Sequence, residues 1–171
     1  MRILIMLVGL LAAGQLESAP PMKMGLWEIT SVTTSTFPPG MVDTMKKAGM
    51  TSGVPFTNVE KICITPEQWR KSMGLDLGMK GCSFSKRDFS GQTMALSMTC
   101  SFGGGVAMAM DTTATFSSDT LQGSAHATTT YPPNMMGGGK SVADSTSKGR
   151  FISSDCGTVQ PGKPLFGSGG K

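Results

Sequence analysis

The chain has 171 residues, with 15 Lys and Arg against 11 Asp and Glu and a formal net charge of +4. Its basic residues are scattered along the chain with no run longer than a pair, and the single Tyr provides no aromatic stripe beside them, so a nucleic-acid-binding surface is excluded. The length fits one domain that buries most of its apolar surface.

The N-terminus has the layout of a secretory signal peptide. One arginine is followed by an apolar run from Ile3 to Ala13, after which the sequence turns polar. This run is shorter than the roughly 20 residues that a membrane-spanning helix needs. Small residues place the cleavage after Gly14, with Ala13 as the alternative. We therefore expect a signal peptide at residues 1–14, a single domain at 15–156, and a periplasmic protein that keeps no stable membrane span.

The first elements of the mature chain are a strand and a short helix. Apolar and polar residues alternate from Gly25 to Val32, and this pattern predicts a strand with one buried face. Residues 53–58 read as a loop. Between them, apolar residues recur at helical spacing before Gly49, and the predicted helix contains Met41, Met45 and Ala48.

A helix start is the clearest local signal in the sequence. A short strand candidate, Lys61–Ile64, leads into Thr65, which is suited to cap a first helical turn. Pro66 fits the first helical position, and Gln68 stands where a capping-box partner reaches back. The sequence therefore predicts a helix that begins at Pro66 and ends near Met73.

From Cys82 to Cys156 the pattern has period two, with turn residues at regular intervals, as is typical of an antiparallel meander. One face of this sheet should be buried and the other exposed to solvent. The predicted fold class is α+β: a mostly antiparallel β meander of about six strands, as a curved sheet or partly open barrel, with one or two short helices and two disulfides. The strands predicted here are Cys82–Phe89, Thr93–Phe102, Val106–Phe116, Leu121–Tyr131 and Ser141–Ser153.

The four cysteines form an even set in an exported chain, which predicts two disulfides. A metal site or a redox-active pair is disfavoured because there is no Cys-x-x-Cys motif. Three connectivities are possible. If residues 90–92 form a hairpin loop, Cys82 lies opposite Cys100 on the apolar face. We therefore predict Cys82 bonded to Cys100, and Cys63 bonded to Cys156.

The segment from residue 157 to 171 is rich in Gly, Pro and Ser and poor in apolar residues. We expect it to be a mobile tail, because it offers too little apolar surface to pack.

Several landmarks together resemble the bacterial family called domain of unknown function 3617. The resemblance covers nearly all of the mature chain, although Met24 stands where many members have Pro. It implies a secreted or periplasmic protein of mostly β architecture with paired cysteines, and it implies no established activity, substrate or cofactor. The landmarks are Gly25-Leu26-Trp27-Glu28, Cys63-Ile64-Thr65-Pro66-Glu67, two mid-chain cysteines, and the segment Gly149-Arg150-Phe151-Ile152-Ser153-Ser154-Asp155-Cys156.

Methionine is the feature most open to a functional interpretation, since the chain has 15. Thioether sulfur is a soft ligand that suits Cu(I), and exposed Met also absorbs oxidants. Met94, Met98, Met108 and Met110 fall on the predicted apolar face, where Met fills core gaps. Only Met135 and Met136, in a Gly-rich loop, are weak candidates for a metal site.

No catalytic or cofactor-binding residues are predicted. His126 is the only histidine and occupies a polar strand position, so a base beside a nucleophile is not evident. Nothing in the sequence pairs two carboxylates among Asp88, Asp111 and Asp119. The Gly-rich segment before Ser141 lacks the first glycine of a phosphate loop. The sequence therefore favours a non-enzymatic binding or structural module with a Met-rich interior, which accepts an apolar ligand or a periplasmic protein partner.

Overall fold

The computed structural model of the chain describes residues 21–69, 81–135, 137–161 and, for the backbone alone, 165–166. Its main feature is one antiparallel sheet accompanied by helix α1, Pro39–Lys47. The strands are β1 Gly25–Thr36, β2 Pro55–Ile64, β3 Cys82–Ser90, β4 Thr93–Phe102, β5 Val106–Phe116, β6 Thr120–Tyr131, β7 Gly139–Ser153 and the two-residue β8 Leu165–Phe166.

The sheet has the strand order β3-β4-β5-β6-β7-β1-β2-β8 and is not closed. Strands β3 to β7 form a meander, as the alternation predicts, because each is joined to the next by a short turn. Strand β1 pairs with β7 on one side and β2 on the other, so the first described strand lies inside the sheet. The predicted α+β class with a mostly antiparallel sheet is confirmed.

One segment differs from the sequence-based expectation. The loop predicted at residues 53–58 is wrong from Pro55 onward, because β2 begins there and pairs with a β1 that extends to Thr36. In the segment after Cys156, for which a mobile tail is predicted, Val159 is only 6% exposed, whereas the residues on either side of it are exposed.

Trp27 lies at the centre of the buried core. We call the face of the sheet on which it lies the apolar face. The side chain of Trp27 is 0% exposed, its ring meets that of Phe151 edge to face at 5.8 Å, and its Nε1 donates to the carbonyl oxygen of Lys23. A Cβ atom at Gly149 of β7 would lie 3.2 Å from Leu121 Cβ, a tight contact, and 3.5 Å from Trp27 Cε3, an ordinary van der Waals contact. Close packing in this part of the core therefore leaves little room for a side chain at position 149.

The middle of the apolar face is less apolar than the alternation suggests. Ser31 and Ser147 share a hydrogen bond of 2.8 Å between their hydroxyls, and Thr33 donates to Ser145 at 2.9 Å. These half-buried hydroxyls satisfy one another across β1 and β7, which removes most of the cost of placing them there. They separate the aromatic cluster around Trp27 from a methionine-rich end of the same face.

Both predicted disulfides are present. The hairpin loop predicted at residues 90–92 is shorter than expected, because Ser90 already pairs with Thr93, and a bulge between Phe84 and Lys86 compensates for the difference. Cys82 and Cys100 lie directly opposite each other on β3 and β4, and Cys63 of β2 is bonded to Cys156, which follows β7. Disulfides persist in oxidising compartments, so the two disulfides indicate an exported environment. Within the described parts of the chain, no helix is long and apolar enough to cross a membrane.

The capping box at Thr65 is present as predicted. The backbone amide of Thr65 donates to Gln68 Oε1 at 3.0 Å, and the amide of Gln68 donates to Thr65 Oγ1 at 3.2 Å. Residues 66–69 are helical. The predicted helix end near Met73 lies outside the described residues.

Replacing Thr65 with Ala should lower the free energy of unfolding by about 1 kcal/mol, because the amide of Gln68 loses its acceptor. Urea denaturation measures the change, and Thr65→Ser, which keeps the hydroxyl, is the matched control. Equal midpoints for the alanine and serine variants would contradict the capping role.

Candidate functional site

The polar face, opposite Trp27, carries a line of functional side chains across the centre of the sheet. Register places one residue from each of five neighbouring strands side by side. We call this set the polar row: Ser97 of β4, Asp111 of β5, His126 of β6, Asp144 of β7 and Thr34 of β1.

Hydrogen bonds connect the polar row in two groups. His126 Nδ1 and Asp144 Oδ1 are 2.7 Å apart, and the hydroxyl of Ser97 donates to Asp111 Oδ1 at 2.5 Å. The second ring nitrogen of His126, Nε2, lies 3.5 Å from Thr128 Oγ1, the outer limit for a hydrogen bond. The imidazole is therefore oriented by Asp144 while Nε2 stays available to another partner.

A depression of about 430 Å³ lies over the polar row. This volume is within the range of small-molecule sites. Two carboxylates, one imidazole and several hydroxyls provide its polar groups, and the isopropyl group of Val32 is an apolar element. The lining residues are Val32, Thr34, Asp111, Thr113, Ser124, Ala125, His126, Asp144, Ser145 and Thr146.

The charges of the depression are accessible and unbalanced. The side chains of His126 and Asp144 are 53% and 69% exposed, so their pairing contributes only about 0–1 kcal/mol to stability. Among the residues that the structure describes, no Lys, Arg or His forms an ion pair with Asp111. No Lys or Arg lines the depression. The site is therefore suited to a group that brings positive charge.

Thr128 is a hydroxyl residue beside His126, with its Oγ1 3.5 Å from Nε2. Its strand, β6, lies in the interior of the sheet between β5 and β7. Its backbone amides are used in those two ladders, so they are not free to form an oxyanion hole. A nucleophilic role for Thr128 therefore has no support from its surroundings.

Met135, one of the two weak candidates for a metal site, does not line the depression. Met135 lies on the loop after β6, and its methyl group is close to Gly104 of the neighbouring turn, whereas Met136 lies outside the described residues. Across the described ranges, no group of three or more His, Cys, Asp or Glu side chains is placed to hold a metal ion.

The carboxylates beside His126 were not identified from the sequence, although a signal for them is present in the turns. Phe116 and Leu121 close the β5–β6 hairpin, and Asp111 and His126 each lie five residues from that closing pair. The same counting from Tyr131 and Gly139 places Asp144 opposite His126.

Comparisons with known proteins give one match. The family model described as "Protein of unknown function (DUF3617)" matches residues 22–156, which include the polar row and all four cysteines. No curated protein and no solved structure matches the chain.

Proposed function

The chain belongs to the DUF3617 family of proteins of unknown function, and on that premise we propose that it is a non-enzymatic binding module that holds a small organic cation in the depression of its polar face. The observation that carries the proposal is the carboxylate of Asp111, which faces the depression without a cationic partner among the described residues. A ligand ammonium group would supply the missing charge.

Asp111 provides the charged anchor in this proposal. Its Oδ1 accepts a hydrogen bond from Ser97, which orients the carboxylate and leaves Oδ2 for the ligand. The hydroxyls of Thr113 and Ser124 share a hydrogen bond of 2.9 Å. They lie two residues from Asp111 and His126 on the same strands and offer further acceptors for ammonium hydrogens. Hydrogen bonds to charged groups are the stronger ones, so Asp111 should dominate the affinity.

His126 provides the second anchor. Its Nδ1 is held by Asp144, so Nε2 presents a fixed hydrogen-bonding atom next to Asp111 on the adjacent strand. A ligand with a second polar group would therefore bind in one orientation. The exposure of the site favours a modest affinity and ready release, as suits a carrier or sensor of small solutes.

In this proposal the module is a periplasmic protein. Residues 1–14 would be the cleaved signal peptide and residues 15–156 the single domain, with the methionine-rich side chains of the apolar face packed in its interior. Support comes from the apolar leader sequence and from the two disulfides. Mass spectrometry of protein isolated from a periplasmic extract measures the cleavage site directly.

Three four-carbon probes test the proposed ligand class. Putrescine carries two ammonium groups, butanediol is neutral and succinate is anionic, so they differ mainly in charge. In NMR titrations of the disulfide-bonded protein, we expect putrescine alone to shift the resonances of the depression. Asp111→Asn should weaken this binding about tenfold, since it removes the charge and keeps the acceptor for Ser97.

Asp88→Asn is the matched control, because Asp88 is an exposed carboxylate of β3 that does not line the depression. It should bind putrescine as the unmodified protein does. An equal loss of putrescine affinity from both substitutions would show that the effect comes from general surface charge. If all three probes leave the depression unchanged, the proposed binding function is wrong.

A second candidate function is the binding of a soft metal ion such as Cu(I) through methionine sulfur. The observation that favours it is the position of Met98, which lies directly opposite Met110 on the neighbouring strand of the apolar face. The loop residues Met135 and Met136 remain alternative ligands for such an ion. Absorption of oxidants by the same thioethers would be a related role.

A further inference from the structure

Three thioether side chains are brought together at one end of the apolar face. Met98 of β4 lies directly opposite Met110 of β5, and Met108 lies opposite Cys100. Side chains two residues apart on a strand point to the same face, so Met108 is also a diagonal neighbour of Met98. Three sulfur-bearing side chains therefore share one small area of the sheet.

Burial distinguishes this group from the methionine nearer Trp27. Met94 packs against the aromatic cluster of Trp27 and Phe116, where an apolar side chain of any kind would serve. Met98 is 4% exposed at the other end of the face, whereas Met108 and Met110 are half-buried. An ion entering from the side of Met108 and Met110 would therefore reach Met98 as its innermost ligand.

The chemistry of this group suits a soft monovalent cation. Cross-strand neighbours have Cβ atoms about 4.5–5.5 Å apart and diagonal neighbours about 7–8 Å, and methionine has three rotatable side-chain bonds with which to bring its sulfur inward. Thioethers are uncharged soft ligands that select Cu(I) over hard divalent ions. The nearest cysteines, Cys82 and Cys100, are bonded to each other and offer no competing thiolate.

We propose that Met98, Met108 and Met110 form a three-thioether site for Cu(I). This inference rests on the second candidate function and adds the location of its site. It places the ion on the apolar face, away from the loop at Met135 and on the opposite side of the sheet from the polar row. The site needs no charged ligand and no change in the disulfides.

Ag(I), a soft ion of the same charge that is stable in air, is the probe. The protein is labelled at the methionine methyl groups and titrated with silver nitrate in its disulfide-bonded form. We expect one equivalent to shift the methyl resonances of Met98, Met108 and Met110 together while that of Met94 stays in place. Met110→Leu should weaken binding about tenfold, and Met94→Leu, the matched control on the same face, should leave it unchanged.

Both leucine substitutions conserve volume, so both variants should fold. Shifts confined to Met135 and Met136 would overturn the proposed site while keeping the soft-metal function. The absence of any binding would overturn both. An equal loss of Ag(I) affinity from Met110→Leu and Met94→Leu would indicate unspecific thioether binding and would contradict the proposed site.

Discussion

Truncating Trp27 to Ala is expected to lower the free energy of unfolding by about 3–5 kcal/mol, because the side chain is fully buried and leaves a large cavity. The loss also removes the edge-to-face contact with Phe151 and the hydrogen bond from Nε1 to the carbonyl of Lys23. Domains of this size are stable by only about 5–15 kcal/mol. The variant should therefore be close to unfolding at room temperature.

Urea denaturation followed by circular dichroism measures this change. Val32→Ala is the matched control, because Val32 lies on the same strand but on the polar face and is 38% exposed. The Val32→Ala substitution should lower the free energy of unfolding by less than about 1 kcal/mol. If Trp27→Ala costs no more than the control, the aromatic cluster is not the centre of the core.

Removing the Cys63–Cys156 disulfide should destabilise the protein more than removing the Cys82–Cys100 disulfide. The first bond joins residues 93 positions apart and the second joins residues 18 apart. Chain-entropy estimates give about 4.7 and about 3.2 kcal/mol respectively, since a longer closed loop restricts the unfolded chain more. Double alanine variants of each pair compare the two bonds.

Thermal unfolding at neutral pH ranks these variants, and each serves as the reference for the other. Cys63 and Cys100 are both buried, so truncation of a buried sulfur affects both variants. A lower melting temperature for the Cys82–Cys100 variant would contradict the loop-length argument. That result would indicate that the clamp on the edge strand β3 matters more than the restriction of the unfolded chain.

Local sequence signals predicted the elements well because their causes are local. Alternation of apolar and polar residues identified the strands, since successive side chains point to opposite faces. Thr65 and Gln68 identified a helix start, because the capping bonds involve residues only three apart. The hairpin at Gly91 was predicted, but its register was not: the turn pairs Ser90 with Thr93, and a bulge between Phe84 and Lys86 restores Cys82 to the position opposite Cys100.

Other features depended on partners that are distant in sequence. Pro55 and Phe56 became strand residues because β1 continues far enough to pair with them. Val159 is buried although it lies in a segment that is poor in apolar residues. None of these three residues carries a local signal for its role, so the sequence of its own segment could not reveal it.

The amino-acid sequence by itself determined that this protein has an antiparallel meander, two disulfides and a family, because periodicity, turn chemistry and cysteine register are properties of short segments. The tertiary structure alone decided that Thr34 of β1 lies beside Asp144 and that one depression covers this row. That outcome needed the pairing of β1 with β7, which are distant in sequence. The physical reason is that a binding site on a sheet runs across the strands, whereas a sequence pattern runs along them.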